Sequence, residues 1–112
     1  MKLKDKTAIV TGASVGIGRA IALAFAAEGA NVMVNYATSA EEARQVVDQI
    51  VATGRRALSF HADVSKADQV EAMVARALDE FGRIHVLVNN AGIAIRASLW
   101  QLTEEIWDRV LD

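Results

Sequence analysis

A doubly wound, parallel α/β sheet is the fold class this sequence predicts, on three observations. Short apolar runs alternate with amphipathic helical stretches along the chain, and glycines mark the joins at Gly12, Gly29, Gly54 and Gly82. The run 84–88 (IHVLV) is apolar almost throughout, which suits a strand covered on both faces. Strand–helix alternation of this length calls for right-handed crossovers, and the doubly wound pattern orders the first four strands 3-2-1-4.

The elements follow in order. Ala8, Ile9 and Val10 form a first strand that runs into the glycine-rich stretch 11–18. A helix begins at about Gly18 and terminates at Gly29, with Ile17, Ile21, Leu23, Ala24 and Phe25 supplying apolar surface. Residues 31–36 (NVMVNY) read as a second strand. Ser39 and Glu42 stand as N-cap and N3 of a capping box, and Ala43, Val46, Val47, Ile50 and Val51 recur at helical spacing until Gly54. Residues 57–61 (ALSFH) make a third strand. Ser65 is expected to cap a third helix with the stripe Val70, Met73, Val74, Ala77, Leu78 and Phe81, closed by Gly82. Thr103 can cap a fourth helix carrying Ile106, Trp107, Val110 and Leu111, yet Asp112 is reached without a C-cap glycine. The expectation is an incomplete unit over 1–112, cut within that helix, whose fourth strand further strands would cover.

At 112 residues the chain suits one compact unit, and its 53% apolar content excludes disorder. Cysteine and proline are absent, so there is no disulfide framework, thiolate metal site or thiol nucleophile; a soluble cytoplasmic protein is expected. The net charge of -2 argues against a nucleic-acid surface. Lys2, Lys4 and Lys6 precede an apolar run too short for a signal peptide, and no stretch is long enough for a membrane span. His61 and His85 lie far apart with no metal-ligand pattern around them.

The stretch Thr11-Gly12-Ala13-Ser14-Val15-Gly16-Ile17-Gly18 carries the chemistry. Glycines between a strand and a helix let the backbone approach a phosphate, and the amides at the helix start point toward it with the positive end of the helix dipole. The spacing is G-x-x-x-G-x-G, and no lysine follows Gly18 as a P-loop would require. Taken alone, three glycines are weak evidence, and a plain connector is the alternative reading. Two further elements fall at strand ends, where such sheets bind ligands: Asp63-Val64 after the third and Asn89-Asn90-Ala91-Gly92 after the fourth. An Asp in this setting also serves as a simple turn former.

Together, T-G-x-x-x-G-I-G, the D-V pair and N-N-A-G at these separations resemble the short-chain dehydrogenase/reductase family over the whole chain, especially members related to 3-oxoacyl-acyl-carrier-protein reductases. The resemblance implies a Rossmann-type fold and roles for particular residues. Gly12, Gly16 and Gly18 would shape the pyrophosphate loop, with Val15 inside it; the Ser14 side chain would reach the adenosine ribose or its phosphate, and the Ile17 amide the pyrophosphate. Asp63 would accept from the adenine amino group with Val64 beside it. Asn90, Ala91 and Gly92 would line the ribose and nicotinamide path, and Asn89 would tie neighbouring strands.

Charge bears on the choice of cofactor. An NAD site usually carries an acid at the end of the second strand, where it bonds the ribose 2′-OH and repels a 2′-phosphate. None occurs between Asn31 and Ala40, which favours NADP and leaves NAD open. The family's usual arginine in the loop is replaced by Val15, and Ala37 stands where a basic residue is common. A 2′-phosphate would therefore rely on Asn35, Thr38, Ser39 and backbone amides around Tyr36 and Ala37.

The resemblance also implies carbonyl–alcohol interconversion by hydride transfer, with a Y-x-x-x-K pair, a serine and an asparagine. Tyr36 is the one tyrosine, and Ala40 follows four residues on, so the pair does not occur and no catalytic residue is assigned. The first reading is the cofactor-binding part of a short-chain NAD(P)-dependent oxidoreductase, inactive alone, acting on a small carbonyl or alcohol in a homo-oligomeric enzyme. The alternative is a non-catalytic nucleotide-binding or interaction module.

Overall fold

The computed structural model describes residues 2–90. Strand and helix alternate strictly there: β1 (Thr7–Val10), α1 (Gly16–Ala27), β2 (Asn31–Tyr36), α2 (Ala40–Ala52), β3 (Ala57–His61), α3 (Ala67–Phe81) and β4 (Val86–Val88). The strands form one parallel sheet in the order β3-β2-β1-β4, as the alternation predicts. The expected fourth helix, the two tryptophans, Ala91 and Gly92 lie outside the described residues.

Successive side chains of a strand point to opposite faces, and β2 sorts the core accordingly. Val32 and Val34 join Val10, Ala22, Ala26, Val46 and Ile50 on the face covered by α1 and α2. Met33 joins Ile9, Val70, Met73, Val74 and Ala77 on the face covered by α3. The sheet is thus covered on both sides, which is why β1 and β2 can be apolar at nearly every position.

Helix α1 departs from the expected pattern. It starts at Gly16 rather than Gly18, Ile17 is 73% exposed and Ala24 is also exposed. The buried face is instead Gly18, Ala22 and Ala26, each four residues after the last. The helix leaves β1 through a tight turn and lies close against the sheet, so only small residues fit beneath it; Ile21, Leu23 and Phe25 pack at its flanks.

The helix caps also differ. Ser39 is the N-cap of α2, but its backbone (φ -100, ψ 66) is not extended and its hydroxyl makes no cap bond, so the expected capping box with Glu42 does not form. Ser65 does not cap α3; that helix begins after Lys66, and the Ser65 hydroxyl turns back to Asp63. Gly82 (φ 81) closes α3 as expected, its amide donating to the Leu78 carbonyl at 2.8 Å.

Strand β4 is shorter than the apolar run implied. The His85 N–H donates to the Thr7 carbonyl at 2.9 Å, and the Thr7 N–H donates to the His85 ring Nδ1 at 3.0 Å. The imidazole takes the place of a backbone acceptor, so regular pairing with β1 begins only at Val86. Among the described residues β4 is a sheet edge, and Leu87 is 36% exposed.

Candidate functional site

Three strand ends and the start of α1 meet at the carboxyl edge of the sheet. From Thr11, both the backbone N–H and the hydroxyl donate to the Val88 carbonyl, at 3.1 and 3.2 Å. The same hydroxyl accepts from the Asn90 N–H at 2.9 Å, and Asn90 Nδ2 donates to the Gly12 carbonyl at 3.3 Å. The ends of β1 and β4 are therefore sewn together at the root of the glycine turn. Asn90 makes side-chain ties of the kind that the sequence reading gave to Asn89.

On the other side the turn is held by β2. The Ala13 N–H donates to the Asn35 carbonyl at 2.9 Å, and the Gly12 N–H donates to Asn35 Oδ1 at 3.2 Å. Asn35 Nδ2 in turn donates to the carbonyls of Phe60 (3.3 Å) and Ala62 (3.2 Å) at the end of β3. The Asn35 side chain is 2% exposed. This corrects the expectation that it serves as a phosphate ligand: its polar atoms face the protein, not the solvent.

The turn's other two glycines do different work. Gly16 is left-handed (φ 59), and a Cβ built there meets no atom within 4 Å. A Cβ on Gly18 would overlap the Gly12 carbonyl oxygen and lie 2.6 Å from Asn90 Nδ2. Gly18 lets the helix cross the strand end, whereas Gly16 presents bare backbone to open space. The first bond of the helical ladder runs from the Arg19 N–H to the Val15 carbonyl. The amides of Gly16, Ile17 and Gly18 precede that bond and have no partner within the helix. Ser14 is 5% exposed within the turn, while Val15 and Ile17 project outward at 52% and 73%.

Along the same edge, Tyr36 is half-buried, Ala37 and Thr38 are exposed, and Ser39 is partly so. The Tyr36 and His61 rings meet at 5.5 Å between centroids, since parallel register pairs these two residues at the strand ends. Beyond β3, Asp63 Oδ1 accepts from the Ser65 hydroxyl (2.6 Å) and the Ser65 N–H (3.0 Å), and the Asp63 N–H donates to Gln69 Oε1 at 2.7 Å. The Ser65 hydroxyl bond, the Ser65 amide bond and the nearby Lys66 and His61 charges hold the Asp63 carboxyl below the usual carboxylate range. Val64 packs against the α3 side of the core.

A polar, glycine-lined edge of this construction has counterparts in known proteins. The family model for short chain dehydrogenases matches residues 6–112. The chain belongs to the short chain dehydrogenase family. An uncharacterized oxidoreductase of Methylorubrum extorquens is 50% identical over 111 residues, which cover 99% of this chain and 45% of that protein. A 3-oxoacyl-[acyl-carrier-protein] reductase of Staphylococcus aureus is 50% identical over 107 residues, covering 96% of this chain and 44% of the reductase. Among solved structures, a short chain dehydrogenase from Burkholderia cenocepacia in complex with NADP superposes with a TM-score of 0.80 at 48% identity, covering 83% of this chain and 38% of that one. A blue fluorescent protein from a metagenomic library, in complex with NADPH, gives 0.79 at 41% identity, with the same 83% and 38% covered. The chain thus spans less than half the length of the curated relatives it matches.

Within this short chain dehydrogenase fold, the glycine turn, the end of β2, Asp63-Val64 and Asn90 share one edge of the sheet. The motif pattern gives no role to Thr11, although it stands at the root of the turn. The inward aim of Asn35 was legible in principle: it alternates with Val34 and Tyr36 in NVMVNY and so shares Met33's face.

Proposed function

We propose that this chain forms the cofactor-binding part of an NAD(P)-dependent oxidoreductase that interconverts a carbonyl and an alcohol. The observation that carries the reading is Gly16: left-handed backbone facing open space, beside helix-start amides aligned with the positive end of the α1 dipole. Such a cradle suits a pyrophosphate, and a side chain at Gly16 would fill it. Because Asn35 occupies the Gly12 and Ala13 amides, the donors for the pyrophosphate are those from Ser14 through Gly18.

Around the adenosine, Asp63 would accept from the adenine amino group through the carboxylate oxygen that Ser65 leaves free, with Val64 beside it. Tyr36, Ala37, Thr38 and Ser39 would surround the ribose 2′ position. Asn90, with Ala91 and Gly92, would border the nicotinamide ribose. The Ser39 hydroxyl makes no cap bond, which leaves it able to serve a 2′-phosphate. The acid-free stretch after β2 and the NADP and NADPH of the two structural relatives support NADP over NAD.

When bound, the nicotinamide supplies or accepts the hydride. This chain's residues bind and orient the dinucleotide, and none of them is assigned the proton transfer, because no Y-x-x-x-K pair is present. The proposal extends to a small carbonyl or alcohol substrate, a homo-oligomeric assembly and a cytoplasmic setting; no helix among the described residues is long and apolar enough to cross a membrane.

Titrating the intact protein with NADPH and NADH, followed by nicotinamide fluorescence, tests the reading. NADPH is expected to bind more tightly, and Gly16→Val is expected to abolish binding of both. Tighter NADH binding overturns the NADP preference. Unchanged affinity in Gly16→Val overturns the site.

A further inference from the structure

Among the described residues, the buried polar side chain that joins the glycine turn to the end of β3 is Asn35, and both of its polar atoms are bonded to backbone. Its Oδ1 accepts from the Gly12 N–H, and Nδ2 donates to two carbonyls, Phe60 and Ala62. A carboxamide offers two donor hydrogens and an oxygen with two acceptor sites; both hydrogens and one of the acceptor sites are engaged. The Ala62 amide meanwhile donates to the Tyr36 carbonyl at 3.1 Å, so the residue preceding Asp63 is held from both sides.

From this geometry we infer that Asn35 is a positioning residue: it sets the shape of the glycine turn and fixes it relative to the Asp63 turn, without touching the cofactor. The inference rests on the reading that the turn receives the pyrophosphate, and it deepens that reading by naming what holds the turn in register.

The neighbouring choices of side chain fail for separate reasons. An aspartate has no hydrogen to offer and would set a carboxylate against two carbonyl oxygens. A leucine of similar volume would remove the acceptor of the Gly12 amide and the side-chain donors to the Phe60 and Ala62 carbonyls. A glutamine is longer by one methylene in a fully packed position. A serine keeps an acceptor for Gly12 but cannot span to both carbonyls. Each change would break at least part of the side-chain link from the Gly12 amide to the Phe60 and Ala62 carbonyls, and with it the angle at which the chain enters α1, while the Ala13 amide keeps its bond to the main-chain carbonyl of residue 35. The ligand would then meet helix-start amides in a shifted position, and the adenine side would lose its register with the pyrophosphate side.

The test compares Asn35→Leu and Asn35→Ser with Ile50→Ala in the intact protein. Ile50 is a fully buried core residue near the carboxyl end of α2, so its truncation destabilises the fold while leaving the turn in place. Stability is read by urea denaturation, affinity by NADPH titration, and the turn itself by hydrogen exchange at the Gly12 and Ala13 amides without ligand. Asn35→Leu is expected to speed exchange at Gly12, whose acceptor it removes, more than at Ala13, whose main-chain acceptor it keeps, and to raise the NADPH Kd about tenfold, from loss of a buried bonded network. Asn35→Ser should fall between it and the parent, and it stands in for the leucine variant should that fail to fold. Ile50→Ala should lose stability with no change in Kd. The inference is overturned if Asn35→Leu keeps slow exchange at Gly12, or if Ile50→Ala weakens NADPH binding as much as the Asn35 variants do. If the parent protein binds neither NADPH nor NADH, the cofactor reading fails. The exchange measurement then still decides whether Asn35 shapes the turn.

Discussion

At the end of β1 the glycine turn is held by neighbouring strands, whereas beyond β3 and Ala62 the turn at Asp63 holds itself. The glycine turn takes its shape from Thr11, Asn35 and Asn90, whose bonds reach 23 to 79 residues along the sequence. The Asp63 turn takes its shape from Ser65 and Gln69, two and six residues away, and it lies on the surface. The first turn is therefore a product of the sheet and should resist anything short of unfolding. The second is a local device that a single proton or a single hydroxyl can alter. On the function proposed above, the dinucleotide would meet a stiff seat at its pyrophosphate and a softer, titratable one at its base.

The largest expected effect falls on the stiff turn. Gly18→Ala forces a methyl group against the Gly12 carbonyl and the Asn90 amide, and because the first of these is backbone the strand end must move. We expect about 3 kcal/mol or more of lost stability by urea denaturation. Gly16→Ala, two positions away, meets no protein atom and should cost only its left-handed backbone, about 1–2 kcal/mol. Equal losses at the two glycines would erase the distinction between a packed glycine and an open one.

Next in size is Thr11→Val, which keeps the shape of the side chain and removes its hydroxyl. The Asn90 N–H loses its acceptor and the Val88 carbonyl loses one of two donors, so about 1–3 kcal/mol is expected from unsatisfied groups at a partly buried site. Faster hydrogen exchange confined to Asn90 and the end of β4 would accompany it. A neutral result would mean that the backbone bond between Thr11 and Val88 suffices to join the two strands.

The soft turn predicts a titration rather than a large energy. Asp63 is held below the usual carboxylate range chiefly by the Ser65 hydroxyl. A lowered folded-state pKa contributes stability that is present above the ordinary carboxylate value and is lost as pH falls through the lowered one. Ser65→Ala should move the Asp63 titration upward, followed by carboxyl carbon NMR, with little change in neutral-pH stability. An unmoved titration would assign the shift first to the Ser65 amide bond, with Lys66 and His61 adding to it.

These contrasts also explain what the sequence made legible. Strand order, both sheet faces and the α3 stripe followed from periodicity, because Val70, Met73, Val74 and Ala77 bury whatever the details of their partners. The α1 face did not: the eye is drawn to Ile17 and Phe25, while the close approach to the sheet selects Gly18, Ala22 and Ala26. Likewise the positions of the candidate site were legible as motifs, but their division of labour was not. Asn35 looked like a ligand-facing residue at a strand end, and only the pairing of β2 with β3 reveals the carbonyls that its amide serves. Ser39 and Ser65 fitted capping patterns, yet a cap depends on the backbone angle of the residue, which no spacing encodes.

The smallest effect tests the opposite edge of the sheet, where β4 begins. The His85 ring accepts from the Thr7 N–H through Nδ1, which requires the neutral tautomer with its proton on Nε2. Desolvation, with the Lys6 and Arg83 charges adding to it, holds the His85 pKa below its ordinary value. The unfolded chain then takes up a proton at a higher pH than the folded one. The stability that this imidazole contributes is present above the ordinary histidine value of about 6.5 and is lost as pH falls through the lowered value. Between those points the unfolding midpoint in urea should drop, and His85→Phe should flatten that portion of the profile while lowering stability at neutral pH. Protonation would set an N–H against the Thr7 N–H, so exchange at Thr7 should quicken over the same range while Gly12 and Ala13, at the other end of β1, stay protected. If all three amides quicken together, the two ends of β1 are one cooperative unit, and the stiffness assigned to the glycine turn belongs to the whole strand.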